Sequence, residues 1–337
     1  MNDEFTNEYI SKEPNSQYKT YAWKTAIGLQ TVEGLEPSEN LIKVAAQNIN
    51  GDISFAEAHK LISAHHEQSD DESLEEADEV SVSIAEILCE KSFVLSPIEL
   101  ITIHRRLFEN VYEAAGEIRD YNFTDGEWVL DGDSVIYGNA LNIRDNLEYV
   151  FTAEKCVDYS SIPDEATVKH IARFISDVWQ INAFDEGNTR ACAVFLIKYL
   201  TTLGFNVIND VFAENSWYFK NALVRANYSN RDKGIIATTR YLELFLRNLI
   251  LGEHNSLSNK DLHVSSSESP AELTVSVDRD TAILDIIRSN PAVTLDEVAS
   301  RIGKSTRTVK TAVKLLQEQG ILERVGGKKL GSWQVNK

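Results

Sequence analysis

Residues 182–190 read Asn-Ala-Phe-Asp-Glu-Gly-Asn-Thr-Arg, and they separate two strongly apolar helical stretches. The first is His170-Ile171-Ala172-Arg173-Phe174-Ile175-Ser176-Asp177-Val178-Trp179, and the second runs from Ala191 to Leu200. A carboxylate, a glycine, a side-chain amide and a guanidinium thus fall within five residues at a helix start. Backbone N–H groups there bind anions, and an adjacent arginine adds a planar cation. A carboxylate beside a phosphate site suits Mg²⁺, which prefers one or two carboxylates together with phosphate oxygens.

The stretch resembles the signature loop of the Fic (Fido) family, His-x-Phe-x-(Asp/Glu)-Gly-Asn-x-Arg. The resemblance implies transfer of AMP from ATP to a Ser, Thr or Tyr hydroxyl of a target protein, with Mg²⁺. It assigns Glu186 to the metal and Gly187, Asn188 and Thr189 to the phosphates. Arg190 becomes the first phosphate arginine and Phe184 the buried anchor, while Asn227 is placed at the adenine side. The family's histidine, which takes the hydroxyl proton, is Asn182 in this chain. An amide accepts no proton usefully, and a positioned base contributes about 10²–10⁴-fold. His170 lies roughly 18 Å away along a continuous helix, so it is no substitute. A second family arginine is replaced by Ala193.

The likeness extends to His104-Arg105-Arg106-Leu107-Phe108 and Ala115-Gly116-Glu117-Ile118-Arg119, similar to an early family helix and its exit. Asp125-Gly126 and Asp131-Gly132 bracket Glu127-Trp128-Val129-Leu130, spacing that predicts a short β-hairpin. By resemblance, the segment near 122–137 is the flap that holds the target's main chain. Residues 18–67 resemble a small VbhA-type antitoxin or inhibitory unit. Its Glu33-Gly34 matches the end of an inhibitory motif whose Ser/Thr position is Leu29, and Glu33 is expected to repel a γ-phosphate or turn to Arg190.

The expected fold is therefore mainly α: a Fic-type bundle with a hairpin flap, a small N-terminal helical unit and a C-terminal winged helix-turn-helix. Its divisions are a flexible stretch 1–17, the unit 18–67, an acidic linker 68–80, the Fic domain 81–252, a linker 253–277 and the winged helix 278–337. Within the last unit, helices at 280–289, 294–302 and 305–319 precede an extended stretch broken by Gly326-Gly327. Lys304, Arg307, Lys310 and Lys314 on the third helix are candidate contacts for duplex DNA, with Lys328 and Lys329 at the wing tip. His104 is expected to be structural, and His65-His66 a solvent-exposed pair.

Charge supports this division. The net charge is −19, yet residues 278–337 hold eleven Lys/Arg against seven Asp/Glu. The remainder has 22 basic and 45 acidic residues, which opposes non-specific nucleic-acid binding outside that tail. Three irregularly spaced cysteines, Cys89, Cys156 and Cys192, indicate no disulfide or zinc framework and fit a reducing cytoplasm. The first fourteen residues show no signal-peptide core, and no apolar run is long enough to span a membrane. Two further readings stay open: a nucleotide-binding pseudoenzyme, and a DNA-binding regulator in which the Fic unit serves homo-oligomerisation.

Overall fold

The computed structural model describes residues 16–67 and 72–264, together with 283–284, 286–288, 290–291, 293–302, 306–318, 321–325 and 332–335. The expectations for residues 1–15, for most of the linker 253–277, for Lys304 and for the wing tip lie outside the described residues.

Capping residues set the helix starts. Helix α1 (Ser16–Gln30) runs into a 3-10 turn, Thr31–Glu33, which Gly34 closes at φ 68°. Ser38 caps α2 (Glu39–Ile49), its hydroxyl accepting from the Leu41 N–H at 3.0 Å. Ser54 and Glu57 form the expected capping box of α3 (Phe55–His66). Ser96 caps α5 (Pro97–Phe108), with Pro97 in the first turn where no amide hydrogen is needed.

The acidic run, expected to be a solvated linker or a helix start, opens helix α4 (Glu72–Cys89), but Asp78 and Glu79 on it are buried rather than solvated. Asp78 accepts from the Ser38 backbone at 2.9 Å and meets His66 Nε2 at 2.9 Å, so its oxygens find hydrogen-bond partners inside the fold. His66 is therefore buried rather than solvent-exposed as expected. Helix α1 packs on α4 and on α9 (Val211–Ala226), with Trp23 and Leu29 fully enclosed. One apolar core consequently runs from Tyr21 to Leu262, and the N-terminal helices share it with the rest of the bundle rather than forming a unit of their own.

The remaining helices of that core are α6 (Ile143–Lys155), α7 (Asp164–Ile181), α8 (Asn188–Thr202), α10 (Arg240–Leu251) and the short α11 (Asn259–Leu262). The expected flap hairpin takes another form. Residues 122–137 are irregular apart from a 3-10 turn, Trp128–Leu130, and contain no paired strands. Only the loop base is closed, by Glu127 N–H to Asp133 O and Gly132 N–H to Glu127 O. Val129 and Leu130 are buried in succession in that turn, whereas a strand with one solvated face would expose one of two neighbours.

A second core joins Ile283 and Ile287 to α12 (Leu295–Ile302), α13 (Thr306–Glu318) and an antiparallel pair, β1 (Leu322–Val325) and β2 (Ser332–Val335). This is the expected winged helix-turn-helix. Its two strands form the only sheet among the described residues. Trp128 packs against both cores, and a side chain on Gly126 would come within 2.6 Å of the Ser300 carbonyl. The flap and α12 therefore touch closely.

Candidate active site

Helix α7 ends because Asn182 turns left-handed, at φ 49° and ψ 64°, while its N–H bonds the Trp179 carbonyl at 3.0 Å. Asparagine tolerates that conformation better than most residues with a side chain. The following loop is braced from several sides. Phe184 is buried and stacked on His104 of α5, ring centroids 3.7 Å apart. Asn188 uses both ends of its amide, accepting from Phe184 N–H at 3.0 Å and donating to Phe184 O at 2.7 Å. Thr189 Oγ1 accepts from the Trp179 indole at 2.9 Å. Gly187 has φ 73° and lies against Phe108, whose ring atoms a Cβ would meet at 2.4 Å. Only glycine fits there.

Two side chains from the sequence likeness, neither proposed for the chemistry, carry much of this bracing. Arg119 donates from Nε to the Asn182 carbonyl at 2.6 Å, and its other nitrogens reach the carbonyls of Tyr121, Gly138 and Ile181. One guanidinium thus joins the loop to both ends of the flap. His104 Nε2 bonds the Glu186 carbonyl at 2.9 Å, and its Nδ1 accepts from Gly116 N–H at 2.9 Å. Burial pushes the imidazole pKa down to about 4, with nearby Arg190 adding to the effect. His104 is neutral, with its proton on Nε2, and structural as expected.

The loop opens on a cavity of about 550 Å³. Asn182, Glu186, Gly187, Asn188, Thr189 and Glu33 all line it, so the structure brings these sequence-selected residues together. Flap residues Tyr121 to Glu127 form another wall, and Ala299 and Ser300 of α12 reach its edge. The first turn of α8 supplies backbone N–H groups that lack intrahelical acceptors. Against them stand five lining carboxylates, Glu33, Asp125, Glu127, Asp185 and Glu186, and one lining cation, Lys220, which pairs with Glu127 at 3.3 Å. Desolvation, then the charges of Glu76 and Glu33, raise the Glu186 carboxyl above its usual range. No group of three or more His, Cys, Asp or Glu among the described residues is arranged to hold a metal ion. A lone carboxylate holds Mg²⁺ only together with other oxygens, such as those of phosphates.

Three selected residues lie outside the cavity lining. Phe184 is beneath the loop. Asn227 spends its amide nitrogen on Ser176 and on the Leu223 carbonyl, tying the end of α9 to α7. Arg190 is fully buried, and its charged contact is Glu76 of α4, 2.7 Å from Nη2, rather than Glu33. Gln30 accepts from Nη1 at 3.1 Å, the Tyr112 hydroxyl accepts from Nη2 at 3.0 Å, and the Phe108 ring lies 4.7 Å from the guanidinium. Burial opposes this charge, but Tyr112, Glu76 and Glu33 more than offset it. Glu76 escaped the sequence reading because it belongs to an acidic run, and such runs are ordinarily solvated.

Comparison with known proteins bears on the same residues. Residues 94–200, which contain α5, the flap, α7 and the braced loop, match the family model Fic/DOC. The chain carries a Fic/DOC domain. Residues 278–323 match the winged helix-turn-helix DNA-binding model. Among solved structures, a Fic family protein from Desulfovibrio desulfuricans G20 is 12% identical over 93% of this chain and 87% of that one, with a TM-score of 0.40. No curated protein gives a significant match. In the winged helix, Lys310 and Lys314 of α13 are exposed, and Arg307 belongs to the same helix. No helix among the described residues is long and apolar enough to cross a membrane.

Proposed function

We propose that the Fic domain transfers AMP from ATP, as its Mg²⁺ complex, to a Ser, Thr or Tyr hydroxyl of a target protein, and that Asn182 slows the step. The supporting observation is the loop: the start of α8, Gly187 to Thr189 and Glu186 converge with residue 182 on one nucleotide-sized cavity. The α-phosphate rests on the amides at the helix start, and Glu186 with the phosphates holds Mg²⁺. The target segment lies along the flap near residues 122–137; its hydroxyl attacks the α-phosphorus, pyrophosphate leaves, and the hydroxyl proton passes to water because Asn182 cannot take it. Metal matters more than usual in this site, because the acidic lining repels free triphosphate. Glu33, a lining carboxylate, adds to that repulsion and serves as a brake.

The test is transfer of label from α-labelled ATP by the parent chain and by Asn182→His, each with and without Glu33→Gly. Restoring the base is expected to raise transfer by about two orders of magnitude. No gain in either background sinks the transferase reading. A second reading has one observation in its favour, namely that Ala299 and Ser300 of the winged helix line the same cavity. Under it, the site senses nucleotide and passes occupancy to the winged helix. Nucleotide binding without transfer, even by the Asn182→His variant, distinguishes it.

A further inference from the structure

The contacts of Arg190 do not match what a buried guanidinium can use. A guanidinium presents five N–H donors in a rigid fork suited to two-point contact with carboxylate or phosphate. Here a single carboxylate oxygen, Glu76 Oε1, meets a single nitrogen, Nη2, at 2.7 Å. The Tyr112 hydroxyl donates to that same oxygen at 2.6 Å. The Gln30 amide and the Phe108 face are neutral. Arg190 Nε is buried and has no hydrogen-bond partner. Glu76 therefore neutralises the charge while leaving the fork under-used.

The two partners also differ in freedom. The Arg190 side chain is 1% exposed, whereas that of Glu76 is 21% exposed, so the carboxylate has water beside it to turn into. Arg190 lies in the first turn of α8, directly after Gly187, Asn188 and Thr189 of the cavity wall. An α- or β-phosphate on those amides brings two non-bridging acceptor oxygens next to the under-used donors.

We infer that Glu76 of α4 is an internal competitor for Arg190, and that nucleotide affinity is set by exchange of this carboxylate for a phosphate. The inference rests on the nucleotide reading above and extends it to a residue outside the cavity. It gives α1 and α4 a role as well: they hold Gln30 and Glu76 against the arginine, so the N-terminal helices tune the site through Glu76 as well as through Glu33. Exchange needs no covalent step. Glu76 swings toward water as the phosphate takes its place.

The experiment measures binding of a non-hydrolysable ATP analogue with Mg²⁺ by calorimetry, and the ligand-induced rise in melting temperature, for the full chain. Glu76→Gln keeps shape and removes charge. It is expected to tighten binding roughly tenfold, within the usual span for coupled sites, and to enlarge the thermal shift. Gln30→Ala, which removes a neutral contact to the same guanidinium, should leave affinity within about twofold of the parent, separating charge competition from loosened packing. In an Arg190→Ala background, Glu76→Gln should have no further effect. If Glu76→Gln does not fold, Glu76→Asp, with a shorter reach, replaces it and should tighten binding by a smaller factor.

Unchanged or weaker binding by a folded Glu76 variant overturns the inference and leaves the nucleotide site standing. So does a gain that persists without Arg190. If neither the parent nor Glu33→Gly binds the analogue, the nucleotide reading itself fails, and this inference falls with it.

Discussion

Lowering the pH should loosen the active-site loop through His104. The neutral ring accepts from Gly116 N–H at Nδ1 and bonds the Glu186 carbonyl at Nε2. A second proton turns Nδ1 into a donor facing another donor, so the bracket between α5 and the loop breaks. Burial places the pKa at about 4, against an ordinary 6.5. The unfolded chain therefore binds this proton first as pH falls. The resulting stability is complete above about pH 6.5 and is lost as the pH drops toward 4. The full difference corresponds to about 3 kcal/mol, of which about 1.4 kcal/mol is gone by pH 5.5. The assay is urea unfolding at pH 7.5 and 5.5 for the parent and His104→Gln, the difference cancelling the other titrating groups. The parent should lose about 1.4 kcal/mol more than the variant. Equal losses, or a His104 ring proton titrating near 6.5 by NMR, would refute the reasoning.

Further outcomes follow from neighbouring contacts. Gly187→Ala adds a Cβ at 2.4 Å from the Phe108 ring on a backbone with φ 73°, and should cost about 2–5 kcal/mol in denaturant unfolding. Lys220→Met removes the buried cation paired with Glu127 at 3.3 Å, and should cost about 3–5 kcal/mol, much of it recovered when Glu127→Gln is added. If α13 contacts duplex DNA, Lys310→Ala with Lys314→Ala should weaken a mobility shift at low salt and flatten its salt dependence by up to about two phosphates' worth. A shift indifferent to both changes assigns the winged helix to protein contacts.

Much of this protein is legible along the chain because the deciding interactions are local. Ser54 and Glu57 are three residues apart, Pro97 acts on its own turn, and Gly187 is required where a loop enters a helix. Such features set helix boundaries and placed the braced loop before α8 without knowledge of neighbours. Glu33 and Asn182 were singled out through likeness to family motifs, Glu186 also from its place at a helix start, and packing brought all three around one cavity. Tertiary structure alone decided the rest. The flap forms a 3-10 turn rather than paired strands, packing Val129 and Leu130 inward and Trp128 against two cores. The acidic run became a buried helix because Ser38 and His66 satisfy Asp78 from other elements. Arg190 found Glu76 rather than Glu33, across 114 residues of chain. A charged side chain's partner is fixed by which helices pack together, and the spacing of carboxylates in a sequence carries no record of that choice.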